Sequence, residues 1–453
     1  MSINLETATD SLRDLFHIGT EKLKAITEHF TKELTKAGLS IEGGNIPMNP
    51  TFLVDTPKGD ERGSYLTLDM GGSHIRVCQV VLEGKRHARV SARQYDLPEG
   101  LKSSTAEELW DHMASCVAEF IEHEQPKENR KDKQLLAFTF SFPVTQSAVN
   151  RGVLQRWTKG FDVSGAEGYD VVEQFEAALK RQGLSNVEVA ILINDTTGTM
   201  VSSMYREPDT CIGAIFGTGC NAAYMEDCGN IPKLREPQFK PGVLMAINCE
   251  YGAFDNEHLV LPRTKYDVTV DKESPRPGQQ SYEKMTSGLY LGEIFRLVLQ
   301  DLKSQDLIFR GKEVPMLDKS QTIDCIMLAK IGMTNHFDKR EVLEHLLKIP
   351  LNEEEVRLCR DLARMIDMRA ARLCACGLAA IYKKRGLSSC VVGIDGSVLL
   401  NNPELKDNVL QALGEILGYP VDKLPLRLNM VKDGSSEGAA IAAAVTGKGA
   451  GKI

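Results

Sequence analysis

The chain has 453 residues, of which 42% are hydrophobic and 26% are charged, and its formal net charge is -8. This length exceeds one simple core, so two domains are expected, and the absence of a basic surplus argues against a nucleic-acid partner. No apolar stretch approaches the roughly 20 residues that a membrane helix needs, and the polar, acidic N-terminus lacks a secretory signal pattern, so no membrane partner is expected.

The N-terminal part of the chain predicts a long helix and then a strand–turn–strand unit. Apolar residues at helical spacing run from residue 8 to residue 37, and Gly38 would end that helix. From Ser64, the segment SYLTLDMGGSHIRVCQVVLEG predicts a strand, a tight glycine turn and a second strand. Further strands are predicted over 135–144 and 187–195, with a helix near 170–182 between them.

The strand–turn–strand unit occurs a second time. From Cys211, the segment CIGAIFGTGCNAAYME again has an apolar strand, a glycine turn and a second strand. Two matched hairpins predict two similar lobes that face each other. Long helices are predicted over 283–303 and 353–385, a strand that runs into a glycine turn over 388–400, and an Ala-rich helix after the turn DGSSEGAA. Strands that alternate with helices predict α/β lobes.

Four glycine turns are candidate phosphate or nucleotide sites. In DMGGSHIR, Gly71 and Gly72 would leave backbone N–H groups open to phosphate oxygens, and Asp69 could hold a water on Mg²⁺. The turns GTG, GIDGS and DGSSEGAA offer similar donors, the last at a helix N-terminus. A hairpin turn with a structural aspartate stays open as the alternative for the first motif, and no Gly-x4-Gly-Lys-Ser/Thr motif occurs.

Asp195, in the segment INDTTGT, is the candidate catalytic base. It follows a buried apolar strand, so its carboxylate would be fixed and partly desolvated, as suits a group that accepts a proton from a sugar hydroxyl. The alternative left open is that Asp195 caps the following helix. Candidate groups for hydrogen bonds to a sugar are Ser141, Thr158, Lys159, Asn194, Asn221, Glu250 and Glu283. Singly, each of these residues is more typical of a surface or capping position, and Lys159 is more typical of a solvated lysine. Trp157 is more typical of a core residue than of a platform for a sugar ring.

Eleven cysteines are scattered along the chain without a Cys-x-x-Cys pair. Zinc sites need tighter clusters, and an odd cysteine count without a signal peptide indicates reduced thiols. The cysteine pattern therefore predicts a cytoplasmic protein without a cysteine metal site.

Nine segments in order resemble the hexokinase family over nearly the whole chain, and most of all the fungal glucokinases and hexokinases. They are DMGGSHIRV, FTFSFPV, RWTKGF, INDTTGT, IFGTGCNAAYME, NCEYGAFDN, YEKMTSGLYLGEIFR, VVGIDGSV and DGSSEGAA. The resemblance implies a two-lobed actin-like ATPase (ribonuclease H-like) α/β fold with a cleft between a small and a large lobe. It also implies four segments: N-terminal helices on the large lobe (1–54), a small lobe (55–193), a large lobe (194–433) and a C-terminal helix returning to the small lobe (434–453).

The family resemblance further implies an ATP-dependent kinase that phosphorylates the 6-hydroxyl of glucose in the first step of glycolysis, with mannose and fructose left open. Its cofactors would be ATP and Mg²⁺, its location the cytoplasm, and its state a monomer or a homodimer. Asp195 and Lys159 would be catalytic, and Asp69 would hold the metal through water. The sugar would contact Ser141, Phe142, Thr158, Lys159, Asn194, Asp195, Asn221, Glu250 and Glu283. The nucleotide would contact Asp69, Gly71, Gly72, Ser73, His74, Arg76, Gly217, Thr218, Gly219, Gly396, Ser397 and Ser435.

Two positions depart from the family's pattern. Ser73 stands where threonine is common, and the hydroxyl is kept. In the C-terminal turn Ser436 replaces a glycine and Glu437 follows it, so an acid beside the nucleotide would repel it. This departure motivates an alternative function, a catalytically weak, hexokinase-like, sugar-sensing regulatory protein. An actin-like ATPase without a sugar site would leave the sugar-type motifs without a purpose.

Overall fold

The computed structural model describes residues 4–37, 39–40, 43–72, 74–98, 100–126, 130–234, 239–333 and 338–447. Its strands are β1 Asn49–Pro50, β2 Arg62–Met70, β3 His74–Gly84, β4 His87–Asp96, β5 Gln134–Phe140, β6 Val144–Ala148, β7 Arg151–Leu154, β8 Val187–Ile193, β9 Thr210–Phe216, β10 Cys220–Asp227, β11 Leu244–Asn248, β12 Cys390–Asp395 and β13 Leu426–Met430. Its helices are α1 Leu5–Phe16, α2 Thr20–Lys32, α3 Ala106–Glu124, α4 Val171–Arg181, α5 Asp195–Arg206, α6 Lys265–Glu273, α7 Ser281–Thr286, α8 Gly288–Ser304, α9 Cys325–Gly332, α10 Lys339–Leu347, α11 Glu353–Arg385, α12 Ser397–Leu400, α13 Pro403–Leu417 and α14 Gly434–Thr446.

Two sheets share one topology. In the small lobe the strand order is β4-β3-β2-β5-β8, with β2, β3 and β4 antiparallel and β5 and β8 parallel to β2. The large lobe repeats this as β11-β10-β9-β12-β13 and adds β1 at the edge beside β11. The repeated order confirms the prediction of two similar α/β lobes and of the two-lobed actin-like fold.

Helices α5 and α14 lie between the two sheets and connect them. α5 follows the small-lobe strand β8 but packs on β9 and β12 of the large lobe, whereas α14 follows β13 and packs on β2 and β5 of the small lobe. The two helices cross at very close range at Gly438 of α14 and Gly198 of α5. A Cβ at Gly438 would lie 1.8 Å from the carbonyl oxygen of Gly198, so the crossing has no room for a side chain there. A buried apolar cluster that includes Met200 and Ile441 surrounds this crossing.

The predicted single helix over 8–37 is wrong, because the chain breaks between α1 and α2. Phe16, the last residue of α1, and Ile18, within the break, are both buried. The carbonyl of Ile18 accepts a hydrogen bond of 2.7 Å from the buried Arg372 on α11, which compensates for the interrupted helix. Gly38, the expected helix end, lies outside the described residues.

The predicted helix over 283–303 is likewise two helices, α7 and α8, which meet at Ser287. At this break the N–H of Gly288 donates to the carbonyl of Gly217 at 2.7 Å, so the start of α8 holds the second glycine turn. A continuous helix would use that N–H internally. The predictions of strand–turn–strand units at β2–β3 and β9–β10, and of α4, α11 and α14, are confirmed.

The N-terminal helices α1 and α2 pack on α11 of the large lobe. The C-terminal helix α14 packs on the small-lobe strands, as described above. The four-segment division at residues 54/55, 193/194 and 433/434 stays a prediction in its boundaries.

Candidate active site

A cleft between the lobes contains a cavity of about 380 Å³, a size typical of small-molecule sites. Three strands end at it, and an aspartate stands at the end of each, with Asp69 at the end of β2, Asp195 after β8 and Asp395 at the end of β12. The lining includes these predicted residues: Asp69, Gly71, Gly72, His74, Arg76, Ser141, Thr158, Lys159, Asn194, Asp195, Thr218, Gly219, Asn221, Glu250, Glu283, Gly396 and Ser435. The structure therefore brings most of the predicted sugar and nucleotide residues into one cavity.

Four predicted residues lie elsewhere or are not described. The side chain of Phe142 is fully buried and packs edge-on against Trp157, with ring centroids 4.9 Å apart. Gly217 is bonded into its own hairpin, and the hydroxyl of Ser397 lies 3.8 Å from the Cys325 sulfur rather than in the cavity lining. Ser73 lies outside the described residues.

Three polar residues line the cavity although the sequence analysis did not select them, namely Gln94, Gln280 and Asp395. Asp395 had a visible signal, because it stands at a strand end before a glycine, in the same position as Asp69. Gln280 precedes α7 in a left-handed conformation, and its amide lies 3.4 Å from Glu283. Gln94 lies on β4, which the sequence analysis did not predict.

Asp195 is the first residue of α5, and Asn194 takes the N-cap position, with its side chain accepting from the Thr196 N–H at 2.9 Å. The alternative that Asp195 serves as the helix cap is therefore wrong, although its Oδ1 also accepts from the Thr196 N–H at 2.8 Å. Burial raises the pKa of Asp69, Asp395 and Glu250, and repulsion from the Asp195 carboxylate adds to that rise. The Asp195 carboxylate therefore acts electrostatically on carboxyl groups of both lobes.

Lys159 faces the cavity from the small-lobe segment between β7 and α4. Its Nζ donates to the carbonyl of Ser141 at 2.8 Å and lies 5.4 Å from the centre of the Phe142 ring. Trp157 is 1% exposed and stacks on Phe161, which confirms its prediction as a core residue. Because its ammonium donates to a backbone carbonyl and the residue lines the cavity, the interpretation of Lys159 as a solvated lysine is wrong.

Two half-buried glutamates, Glu250 and Glu283, line the cavity from the large lobe. Glu283 Oε2 accepts from the Cys220 N–H at 2.9 Å, and a Cβ at Gly219 would lie 2.5 Å from that oxygen, so a side chain at this position would displace the carboxylate. Glu250 has a left-handed backbone, with φ of +55°, and Asn248 donates to its Oε1 at 2.9 Å. Burial raises the pKa of both glutamates, and the Lys159 ammonium opposes that rise.

The strands around the first glycine turn contact the start of α14 directly. The hydroxyl of Ser435 donates to Asp69 Oδ2 at 2.7 Å, and Arg76 forms an ion pair of 2.6 Å with Asp433. Burial raises the pKa of Asp69 to about 6, partly offset by the Ser435 hydrogen bond. For Gly71 the expectation of an open N–H is wrong, because that N–H donates to the His74 carbonyl at 3.1 Å.

The turn at Gly396 requires glycine. Its φ is +107°, and a Cβ there would lie 2.4 Å from the Phe216 carbonyl oxygen. β12 therefore ends directly against the second glycine hairpin. The backbone of the two turns can approach a ligand together.

Glu437 does not face the cavity. It is 5% exposed and pairs with Arg206 at the end of α5, at 2.8 Å. Ser436 is also buried, so Ser435 is the residue of this turn that reaches the cleft. The expected repulsion between Glu437 and a nucleotide thus has no basis in this geometry.

No helix in the described part of the chain is both long and apolar enough to cross a membrane. Among the described residues, no group of three or more His, Cys, Asp or Glu is arranged to hold a metal ion. Each of the eleven cysteines is a free thiol.

Comparisons with known proteins agree with this geometry. Family models described as hexokinase match residues 8–205 and 211–445. The chain is 49% identical to a hexokinase of Emericella nidulans, over 98% of this chain and 91% of that protein. It is 43% identical to hexokinase-2 of Saccharomyces cerevisiae, over 97% and 92% of the two chains. A solved hexokinase of Schistosoma mansoni in complex with glucose superposes with a TM-score of 0.89 at 32% identity, over 97% of this chain and 98% of that one.

Proposed function

The chain belongs to the hexokinase family and is a hexokinase, and we propose that it transfers the terminal phosphoryl group of ATP to the 6-hydroxyl of glucose. The observation that carries this proposal is the joint position of Asp195, Lys159, Glu250 and Glu283 in one cavity between glycine turns. The charged side chains can form hydrogen bonds to the hydroxyls of a sugar, and the backbone N–H groups of the glycine turns can bind phosphates.

The sugar would bind at the large-lobe side of the cavity. Glu250, Glu283 and Asn221 offer acceptors and donors that converge from three separate elements, as hydroxyl recognition requires. The Thr158 hydroxyl and the Lys159 ammonium would approach from the small lobe. Phe142 would contribute only through its backbone, because its side chain is buried among other aromatic residues.

The nucleotide would lie between the two glycine turns, with the start of α14 on its adenosine side. Mg²⁺ fits the carboxylates present, because this ion uses one or two carboxylates, water and substrate phosphates rather than a closed protein cage. Asp69 and Asp395 repel Asp195 across the cleft, which a divalent cation would offset. The ion would neutralise charge on the phosphates, with Asp69 holding it through water.

Asp195 would accept the proton of the 6-hydroxyl as that oxygen attacks the terminal phosphorus. The new bond joins the sugar oxygen to phosphorus, the bond from phosphorus to the bridging oxygen breaks, and ADP leaves. Lys159 would stabilise negative charge on the transferred group. We further propose that sugar binding closes the lobes and expels water, which limits hydrolysis of ATP.

The biological setting follows from this reaction. The product would be a hexose 6-phosphate that enters glycolysis, and the free thiols are typical of a cytoplasmic protein. The protein would act as a monomer or a homodimer. The regulatory alternative is not favoured, because the Arg206–Glu437 pair removes the charge conflict that motivated it.

The test is phosphorylation by the purified chain with Mg·ATP and glucose, mannose, fructose or 6-deoxyglucose. We expect hexose 6-phosphate from glucose and no product from 6-deoxyglucose, which lacks the attacking oxygen. The relative rates with mannose and fructose define the specificity. Glucose binding without product would instead support the regulatory alternative.

A further inference from the structure

Asn248, the last residue of β11, lies behind the cavity wall rather than in it. It is 3% exposed, is absent from the cavity lining, and pairs in register with Ala223 on β10 and Asn49 on β1. The next two residues lead to Glu250, one of the acidic groups in the cavity. Asn248 is thus placed to act on the site without touching a ligand.

The hydrogen bonds around Asn248 have one possible direction. Asn221 Oδ1 accepts two backbone N–H groups, those of Ala222 at 2.7 Å and Glu250 at 2.9 Å, so its Nδ2 must be the atom that faces Asn248. That Nδ2 donates to Asn248 Oδ1 at 2.7 Å. Asn248 Nδ2 in turn donates to Glu250 Oε1 at 2.9 Å. The direction is fixed by backbone donors at one end and a carboxylate at the other.

We propose that Asn248 is a positioning residue for sugar binding, which orients the Glu250 carboxylate and the Asn221 amide through these two hydrogen bonds. The inference rests on the proposed function, because it assigns Glu250 and Asn221 to the sugar. Asn221 also reaches Oε1, at 3.3 Å, so the hydrogen bonds seen among the described residues converge on Oε1 and Oε2 is left to a sugar hydroxyl.

In its proposed role, Asn248 must both accept a hydrogen bond from Asn221 and donate one to Glu250. Burial disfavours the charged form of Glu250, and the Asn248 hydrogen bond works against that effect, as does the Lys159 ammonium. Asp195 and Glu283 add repulsion from the other walls of the cavity. An aspartate at position 248 would keep the shape and the acceptor but would present an anion to Glu250. If it took up a proton, its O–H would restore the donor.

The test compares glucose binding, by calorimetry on the full chain without nucleotide, for wild type, Asn248→Asp and Asn248→Ala. At pH 8 we expect the glucose Kd to rise at least ~10-fold in both variants, since a hydrogen bond to a charged group is lost. Between pH 8 and pH 5.5, the ratio of the Asn248→Asp Kd to the wild-type Kd should shrink. The ratio of the Asn248→Ala Kd to the wild-type Kd should stay the same over this pH range, because alanine cannot take up a proton. In turnover assays KM for glucose should rise more than kcat falls.

Asn402 provides a matched control. It is 2% exposed and also bridges a backbone N–H and a carboxylate, since it accepts from Leu405 and donates to Asp367, but it lies outside the cavity lining. Asn402→Asp and Asn402→Ser should lower stability and leave the glucose Kd within twofold of wild type. Asn248→Ser covers the case in which Asn248→Asp does not fold.

The proposal is overturned if the Asn248 variants bind glucose within twofold of wild type, or if the Asn402 variants weaken binding equally. A pH-independent ratio for Asn248→Asp would also contradict it. Because the readout is glucose binding, these outcomes are separate from failure of the wild type to phosphorylate glucose.

Discussion

At the residue scale, the departure at Glu437 illustrates how a substitution acquires its meaning from its neighbours. The sequence alone suggests an acid beside the nucleotide, whereas the structure turns this carboxylate towards Arg206 on α5. The pair joins a buried acid to a half-exposed arginine. Such a pair contributes between the roughly 1 kcal/mol of exposed pairs and the ~3–5 kcal/mol of breaking a buried one.

We expect Arg206→Ala to lower the free energy of unfolding by about 2 kcal/mol, because it leaves Glu437 buried without a cation. Glu437→Gln should cost less, since Arg206 can be hydrated. KM for ATP should stay within about twofold of wild type in Glu437→Gln. Urea denaturation and initial rates measure these effects. A large fall in KM for ATP on removing the charge would show that Glu437 does repel the nucleotide.

At the element scale, the crossing of α5 and α14 fixes Asp195, the proposed catalytic base, relative to the small lobe. α5 begins with Asp195, and its contact with α14 depends on the absence of a side chain at Gly438. A methyl group there would meet the Gly198 carbonyl oxygen, so one helix must move.

Gly438→Ala is therefore expected to destabilise the protein by about 3 kcal/mol, the upper range for overpacking, and to lower kcat. Gly447→Ala is the control at the end of the same helix, because a Cβ there meets nothing within 4 Å. Thermal melts and activity of the two variants provide the comparison. Equal stability of Gly438→Ala and wild type would contradict the described crossing.

The contact between α11 and α13 predicts a pH dependence of stability. Burial raises the pKa of Asp367 on α11 to about 7, although Asn402 donates to it at 2.9 Å. The folded protein therefore holds this proton more tightly than the unfolded chain. The contribution of Asp367 to the free energy of unfolding is thus greatest below about pH 4 and declines as the pH rises to 7.

Asp367→Asn should accordingly melt at a higher temperature than wild type at pH 8, and the difference should narrow towards pH 5. Asp407→Asn, at an exposed position on α13, is the control for loss of a carboxylate. Melting temperatures across this pH range test the prediction. A lower melting temperature for Asp367→Asn at pH 8 would contradict it.

Some helices and strands could be predicted from local sequence patterns, and others could not. The hairpins β2–β3 and β9–β10 were predictable because β-forming residues flank glycine turns. The break between α7 and α8, at Ser287, was not predictable, because it accompanies a hydrogen bond from the Gly288 N–H to a distant partner, the carbonyl of Gly217. For the same reason the sequence marks Glu250 as a candidate site residue but gives no sign that Asn248 supports it.

At the scale of the whole molecule, the duplicated sheet topology explains why the site lies where it does. In both lobes, hairpin strands and parallel strands end at the same cleft, so each lobe contributes a glycine turn and an aspartate. Lys159 of the small lobe lines the same cavity as Asp69, Glu250 and Glu283, and its ammonium opposes the rise that burial causes in the pKa of these three carboxyls. Relative movement of the lobes would therefore change the proposed sugar site and the proposed nucleotide site together.

The most direct measurement is the kcat for Mg·ATP-dependent phosphorylation of glucose by wild type and Asp195→Ala, with the glucose Kd of both. We predict a fall in kcat of at least ~10²-fold, the usual scale for loss of a general base, with glucose binding largely kept. Near-wild-type turnover in Asp195→Ala would contradict the assignment of Asp195 as the base that accepts the proton of the 6-hydroxyl.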